Sequence, residues 1–179
     1  MHSHSSSRFI ALLLLCVTAA VVSALLLYIE RQWDADSLPL GQRIPSFEAA
    51  TMDGGFFARD SLGDKKVLLI FFAPGCSHCR NEISNLAQLY PKYKGMVDFV
   101  GISLDSAAAV KSLARELKLD FPIVVEKDEV LSEMFKIHIL PSIFCIDEFQ
   151  ILRGRYTGEH SLSVDEHLIN EFASSGNNK

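Results

Sequence analysis

A chain of 179 residues, 49% of them hydrophobic and 22% charged, is long enough for one membrane segment and one core-bearing domain of about 150 residues. Its formal charge of −5 at pH 7, with no block of Lys or Arg, excludes the basic surface that nucleic acid requires.

The first eight residues are a short polar tail, expected in the cytoplasm. Phe9 to Ile29 then runs without a charge or a proline. As a helix this run is about 32 Å long and matches the hydrocarbon thickness of a bilayer. Tyr28 and Trp33 suit the interfacial belt beyond it. The segment reads as an uncleaved signal anchor. Val22-Ser23-Ala24 is the competing reading, a signal-peptidase site. Against it, apolar residues continue from Leu25 through Ile29, further than an ordinary signal sequence. Cys16 follows Leu15 rather than a small residue, which argues against lipoprotein processing and leaves it a passive residue of the span. Arg8 and the terminal amine balance Arg31 and Arg43, so charge hardly decides orientation.

Residues 30–42 read as a polar linker, 43–174 as a folded domain and 175–179 as a flexible tail. Within the domain, Phe47 to Ala58 carries the turn Asp53-Gly54-Gly55 and reads as a β-hairpin. Val67 to Ala73 is nearly all apolar, as a central strand covered on both faces should be. From Cys76 to Tyr93, Ile83, Leu86, Leu89, Tyr90 and Tyr93 recur at helical spacing. Val97 to Leu104 is a second buried strand, and Ser106 caps a helix with Val110, Leu113 and Leu117 on its apolar face. Phe121 to Val125 is a short strand. Asp128 opens a helix carrying Val130, Leu131, Met134 and Phe135. Ser142 to Asp147 and Ile151 to Tyr156 are strands joined by a turn at Glu148-Phe149-Gln150. Ser163-Val164-Asp165-Glu166 reads as a capping box opening a last helix to about Ala173. The order describes a mixed α/β sandwich.

The chemistry is concentrated in Cys76-Ser77-His78-Cys79, directly after the central strand. A helix N-terminus offers unpaired N–H groups and the positive end of its dipole, which favour a thiolate at Cys76. Cys79 returns to the same face one turn later and can close a disulfide with Cys76. Electron-pair exchange with other thiols is the expected function. A tethered dithiol of this kind is more often found in an oxidising compartment, so the domain is expected outside the cytoplasm, on the periplasmic face of a bacterial inner membrane.

With these elements placed, the chain resembles thioredoxin-fold proteins, and more narrowly the membrane-anchored TlpA/ResA-type thiol-disulfide oxidoreductases of the redoxin (AhpC/TSA-like) superfamily. The resemblance rests on Gly41-x-x-Ile44-Pro45-x-Phe47, Asp53-Gly54-Gly55, Val67 to Cys79, Val100-Gly101-Ile102-Ser103-Leu104-Asp105, and Leu140-Pro141-Ser142 before Ile146-Asp147. It implies a three-layer α/β/α sandwich with an N-terminal hairpin, preceded by one transmembrane helix. The helix from Ser106 with the Phe121-Pro122 strand would be that family's central insertion. It also implies that Cys76 is the exposed attacking thiol and Cys79 the buried resolving one, that Pro141 is a cis-proline beside them, and that Glu82 manages the proton of Cys79. Ser77 and His78 would tune the dithiol, His78 through a partly positive ring near the Cys76 sulfur; a solvated His78 is the alternative, as a surface Glu is for Glu82. Pro74, Gly75 and Leu140 would line the substrate groove. Two departures from thioredoxins are plain: Ile70 replaces a buried Asp, and Pro74-Gly75 replaces the pair before the first cysteine.

The expected partners are disulfide-containing or dithiol proteins and a membrane thiol or electron donor, with reduction of apocytochrome c or metal-site cysteines as the role the family suggests. Disulfide donation uses the same residues. Thiol peroxidases share this fold, but their pocket needs Pro and Thr or Ser where Leu69 and Ala73 stand. A copper-binding assembly chaperone would use both cysteines and His78. No cofactor and no zinc site is expected, because one C-x-x-C supplies two of four ligands and no second pair exists. His2, His4, His138, His160 and His167 show no ligand spacing, and Cys145, in an apolar strand, reads as a buried inert thiol.

Overall fold

The computed structural model describes residues 13–28, 38–51, 55–103, 105–126 and 128–175. The chain divides into two units, Met1–Leu38 and Pro39–Lys179. In the first, residues 13–28 are helical (α1), with Leu13, Leu15 and Leu26 among its exposed side chains. No helix among the described residues is long and apolar enough to cross a membrane. The expected span over 9–29 extends beyond both ends of α1, and those ends, the polar tail and most of the expected linker lie outside the described residues.

The second unit is built on β3 (Lys66–Phe72), whose residues Val67 to Phe72 are all buried. It lies at the centre of a five-stranded sheet ordered β5-β4-β3-β6-β7, with β4 Val97–Ser103, β5 Ile123–Val125, β6 Ser142–Ile146 and β7 Leu152–Thr157. β4 runs parallel to β3 and β5 parallel to β4, whereas β6 is antiparallel to β3 and β7 to β6. Alternate residues of β3 therefore serve opposite faces. Leu68, Ile70 and Phe72 join one core with Cys79, Ile83 and Leu86 of α2 (Ser77–Tyr93) and Leu168, Ile169 and Phe172 of α5 (Leu162–Ser174).

On the other face, Phe71 meets Phe135 at 5.4 Å and Phe144 at 5.5 Å between ring centroids. Phe135 ends α4 (Val130–Met134) and also reaches Phe47. Phe47 leads into the antiparallel hairpin β1 (Glu48–Ala50) and β2 (Phe56–Ala58), whose expected turn at 53–54 lies outside the described residues. Helices and hairpin thus cover both faces of a mixed sheet. α3 (Ala107–Glu116), capped by Ser106, leads to β5, the edge strand beside β4.

Two local readings are corrected. Ser163 does not cap α5; Ser161 holds that position, and the Ser163 hydroxyl lies 3.1 Å from the Ser161 hydroxyl. The helix begins two residues earlier, at Leu162, and Asp165 in its first turn is buried. The strand expected from Ile151 begins at Leu152, because Ile151 instead bridges Arg43. Gly41 N–H donates to Leu152 O at 2.8 Å, so this part of the expected linker is already paired with β7. Lys66 closes the far end of α5 by donating to the carbonyls of Phe172 and Ala173 at 2.9 and 2.8 Å, where a cation opposes the helix dipole.

Phe135 joins the hairpin, β3 and β6 through ring contacts and is fully buried. Phe135→Ala is expected to lower the unfolding free energy by about 3–5 kcal/mol in urea denaturation. A loss under about 1 kcal/mol would mean that this aromatic layer contributes little.

Candidate active site

β3 ends at Phe72, and the turn through Ala73, Pro74 and Gly75 delivers Cys76 to the N-cap of α2. The Cys76 N–H donates to Ala73 O at 3.1 Å, and Arg80 N–H donates to Cys76 O at 3.0 Å as the first helical bond. An N-cap side chain accepts from the free N–H groups of the first turn, a role usually taken by oxygen. Here sulfur takes it: Cys76 Sγ accepts the Cys79 N–H at 3.2 Å. Cys76 is partly exposed and Cys79 is fully buried, both as free thiols. Burial pushes the Cys79 thiol up to about 12, and its hydrogen bond to Cys76 pushes in the same direction. The pair is therefore asymmetric, with one sulfur as accessible acceptor and the other as a protonated donor behind it.

The Leu140–Pro141 peptide is cis. Ser142 pairs with Phe71, so Pro141 lies at the end of the sheet from which the Cys76 turn departs. Leu140 packs against the same core cluster as Cys76, and Pro141 O accepts the Gly158 N–H at 2.9 Å. Beside this junction is an open groove of about 620 Å³ lined by His78, Ile139, Leu140, Gly158, Glu159, His160 and Ser161. Of the predicted groove residues only Leu140 lines it; Pro74 is buried and Gly75 is exposed outside the lining. His138 is exposed and is not part of the lining.

His78 stands in the first turn of α2 next to exposed Ser77, but its ring is turned to the loop after β7. Its Nδ1 lies 2.7 Å from Glu159 Oε2, while Asn81 donates to Glu159 Oε1 at 2.9 Å. These two bonds hold the Glu159 carboxyl below its ordinary range, the His78 bond first. His78, Asn81 and Glu159 thus form a clasp between α2 and the groove wall. That clasp also engages the histidine a copper site would need.

Glu82, one turn beyond Cys79, is fully buried rather than a surface residue. Its Oε2 accepts the His160 N–H at 2.8 Å, and its Oε1 is 3.2 Å from His160 Nδ1. Asp165 of α5 joins them, with Oδ1 3.7 Å from His160 Nδ1 and Oδ2 accepting from Asn85 Nδ2 at 3.2 Å. Asp165 Oδ1 is buried without a hydrogen-bond partner. Burial, reinforced by the Glu82 charge, raises the Asp165 pKa from 3.8 to about 7. Donor atoms of Glu82, His160 and Asp165 lie within 4.8 Å of one another. N–H groups donate to two of the four carboxylate oxygens and the His160 ring nitrogen lies against a third, so a proton on the pair would satisfy the oxygen that remains, Asp165 Oδ1.

Asp165, His160, Asn85 and Glu159 were not singled out from the sequence. One signal was present for Asp165: it precedes Leu168, Ile169 and Phe172 at helical spacing, which puts an acid on the buried face of α5. Cys145 is buried on β6, and burial raises its thiol to about 12, the environment of an inert cysteine. Leu69, where a peroxidase pocket needs proline, is fully buried in β3, and Ala73 brings no hydroxyl.

A family model described as the AhpC/TSA family matches residues 40–155. The chain is 29% identical over 156 residues to thiol-disulfide oxidoreductase ResA of Bacillus cereus, covering 86% of this chain and 88% of that protein. A thiol:disulfide interchange protein of the thioredoxin family from Chlorobium tepidum superposes with a TM-score of 0.64 at 25% identity, covering 77% of this chain and 100% of that one. The thioredoxin domain of a thiol-disulfide oxidoreductase from Bacteroides vulgatus does so with a TM-score of 0.65 at 24% identity, over 77% of this chain and 100% of that domain. The fold is thioredoxin-like.

The raised Asp165 pKa has a thermodynamic consequence. Between 3.8 and about 7 the unfolded chain gives up this proton while the folded chain keeps it, so ionisation favours unfolding as pH rises through that window. Asp165→Asn, which cannot ionise, should raise Tm at about pH 8 and have a much smaller effect near pH 4, as followed by circular dichroism. A variant less stable than its parent at the higher pH would contradict the buried-acid assignment.

Proposed function

The chain belongs to the AhpC/TSA family, and on that premise we propose that it reduces disulfides of target proteins as a membrane-anchored, extracytoplasmic enzyme. It is a thiol-disulfide oxidoreductase. The observation that carries the reading is the N-capping sulfur of Cys76, partly exposed and bonded to the backbone N–H of Cys79, whose own thiol is buried. The 29% identity with ResA supports the same class.

In the forward direction Cys76, as thiolate, attacks one sulfur of the target disulfide. The target's S–S bond breaks, its second sulfur leaves with the electron pair, and a mixed disulfide joins Cys76 to the target. Cys79 then loses its proton and attacks Cys76 Sγ. The mixed disulfide breaks, the target leaves as a dithiol, and Cys76–Cys79 is oxidised, two electrons having passed to the target. The buried Cys79 waits for this second step, since only a covalent partner at Cys76 gives it a disulfide to attack. The groove beside Pro141 is the proposed seat of the target peptide, with Leu140 and Ile139 as its apolar floor. A membrane thiol donor would return the enzyme to the dithiol state.

The apolar segment over 9–29 is the proposed anchor, and its sequence supports the reading. Cytochrome c maturation is the narrower role that the TlpA/ResA resemblance suggests.

Two measurements test the assignment. Cys79→Ser should accumulate mixed disulfides through Cys76 on non-reducing gels, each released by dithiothreitol, whereas Cys76→Ser should accumulate none. The Cys76/Cys79 potential should lie below about −200 mV, on the thioredoxin side of the scale; a value near the DsbA figure of about −120 mV would reverse the direction of exchange.

A further inference from the structure

Resolving the mixed disulfide requires Cys79 to shed a proton in a site that strongly favours the protonated thiol. A base is needed, and α2 places a buried carboxylate one helical turn on from Cys79, at Glu82. Glu82 does not stand alone. Asp165 of α5 faces it, and a second carboxylate in contact within the buried interior raises the affinity of the pair for a proton. The lone unpartnered oxygen, Asp165 Oδ1, is satisfied once a proton sits on the pair. Asn85 holds Asp165 Oδ2 and also donates to His160 O at 3.0 Å, which fixes the geometry of all three residues.

His160 supplies the way out. Its backbone N–H and ring Nδ1 bind Glu82, the same ring nitrogen lies 3.7 Å from Asp165, and the side chain is 21% exposed at the groove. The remaining groups around the ring are Tyr156 of β7, edge-on at 6.5 Å, and Glu159, which is occupied by His78 and Asn81. Glu82 on α2, His160 on the loop and Asp165 on α5 therefore form one cluster that begins one helical turn from Cys79 and reaches the groove at His160.

Resting on the oxidoreductase reading, and on the Cys79 proton role that the family resemblance gives Glu82, we propose that Asp165 shares the Glu82 proton and that His160 shuttles it between this pair and solvent. In the resolving step the Cys79 proton passes to the carboxylate pair as its sulfur attacks Cys76 Sγ. The Cys76–Cys79 bond forms, the Cys76–target bond breaks, and the electron pair leaves on the target sulfur. The pair then discharges through the imidazole. Asp165 and His160 are positioning and relay residues; neither touches the exchanging sulfurs.

The full chain can be tested in a single turnover with an aromatic disulfide, dithiobis(nitrobenzoate), as the probe. Attack by Cys76 releases a first coloured thiolate, and resolution by Cys79 releases a second. In the parent the second phase should accelerate through an inflexion near neutrality. Asp165→Asn should lose that inflexion and slow the second phase at least about tenfold above it, leaving the first phase unchanged. His160→Ala should slow the second phase likewise and recover with added imidazole, which a structural defect would not do. Superimposable second-phase pH profiles for the parent and Asp165→Asn would overturn the shared base. A slow His160→Ala phase that imidazole leaves untouched would overturn the shuttle. Failure of the oxidoreductase reading would look different: the parent itself would show no second release.

Discussion

A sulfur serving as a helix N-cap is the constraint on which the rest of the molecule turns. The first turn of α2 must place its N–H groups around Cys76, and the Cys79 N–H bond does so at 3.2 Å. That requires a strand ending one short turn earlier, which β3 provides by being buried on both faces and therefore fixed in position. It also requires Cys79 to point into the core shared with Ile83, Leu86 and Ile143. Cys76 at the N-cap is partly exposed while packing against that core buries Cys79, and this difference suits the attacking and resolving roles proposed for them.

The loop after β7 is the second organising element. Within three residues it donates Gly158 N–H to Pro141 O, clasps His78 through Glu159, and binds Glu82 through both the backbone and ring of His160. It therefore holds the cis-proline, the mouth of the dithiol helix and the buried acids in one arrangement. A buried carboxyl pair costs stability, and hydrogen bonds from Asn85 and His160 offset only part of that cost. Placing such a pair one turn from a thiol that must ionise makes chemical sense of an otherwise unfavourable core.

Much of this was legible in the residues. The apolar run through Phe72 and the recurrence of Ile83, Leu86, Leu89, Tyr90 and Tyr93 specify β3 and α2 by periodicity, and the cysteine motif falls where they meet. What was not legible depends on contacts across long stretches of chain. His78 turns to a residue 81 positions away, so its local sequence gives no hint of the ring's direction. The capping-box pattern at Ser163 is locally valid, yet the helix starts two residues earlier, and Asp165 in its first turn is tied to Asn85 of α2, a contact 80 positions away that the local pattern does not show. Pro74 and Gly75 adjoin the cysteine in sequence, yet the groove wall comes from the loop after β7.

The central claim is that Cys76 and Cys79 are chemically unequal partners in one reversible bond. Limiting iodoacetamide applied to the reduced native chain, with each cysteine quantified by mass spectrometry, tests it most directly. Label should appear at Cys76 first, with Cys79 and Cys145 labelled only on unfolding, and mild oxidation should protect Cys76 by linking it to Cys79. Equal labelling of Cys76 and Cys79 in the folded chain, or oxidation that leaves Cys76 fully reactive, would contradict it.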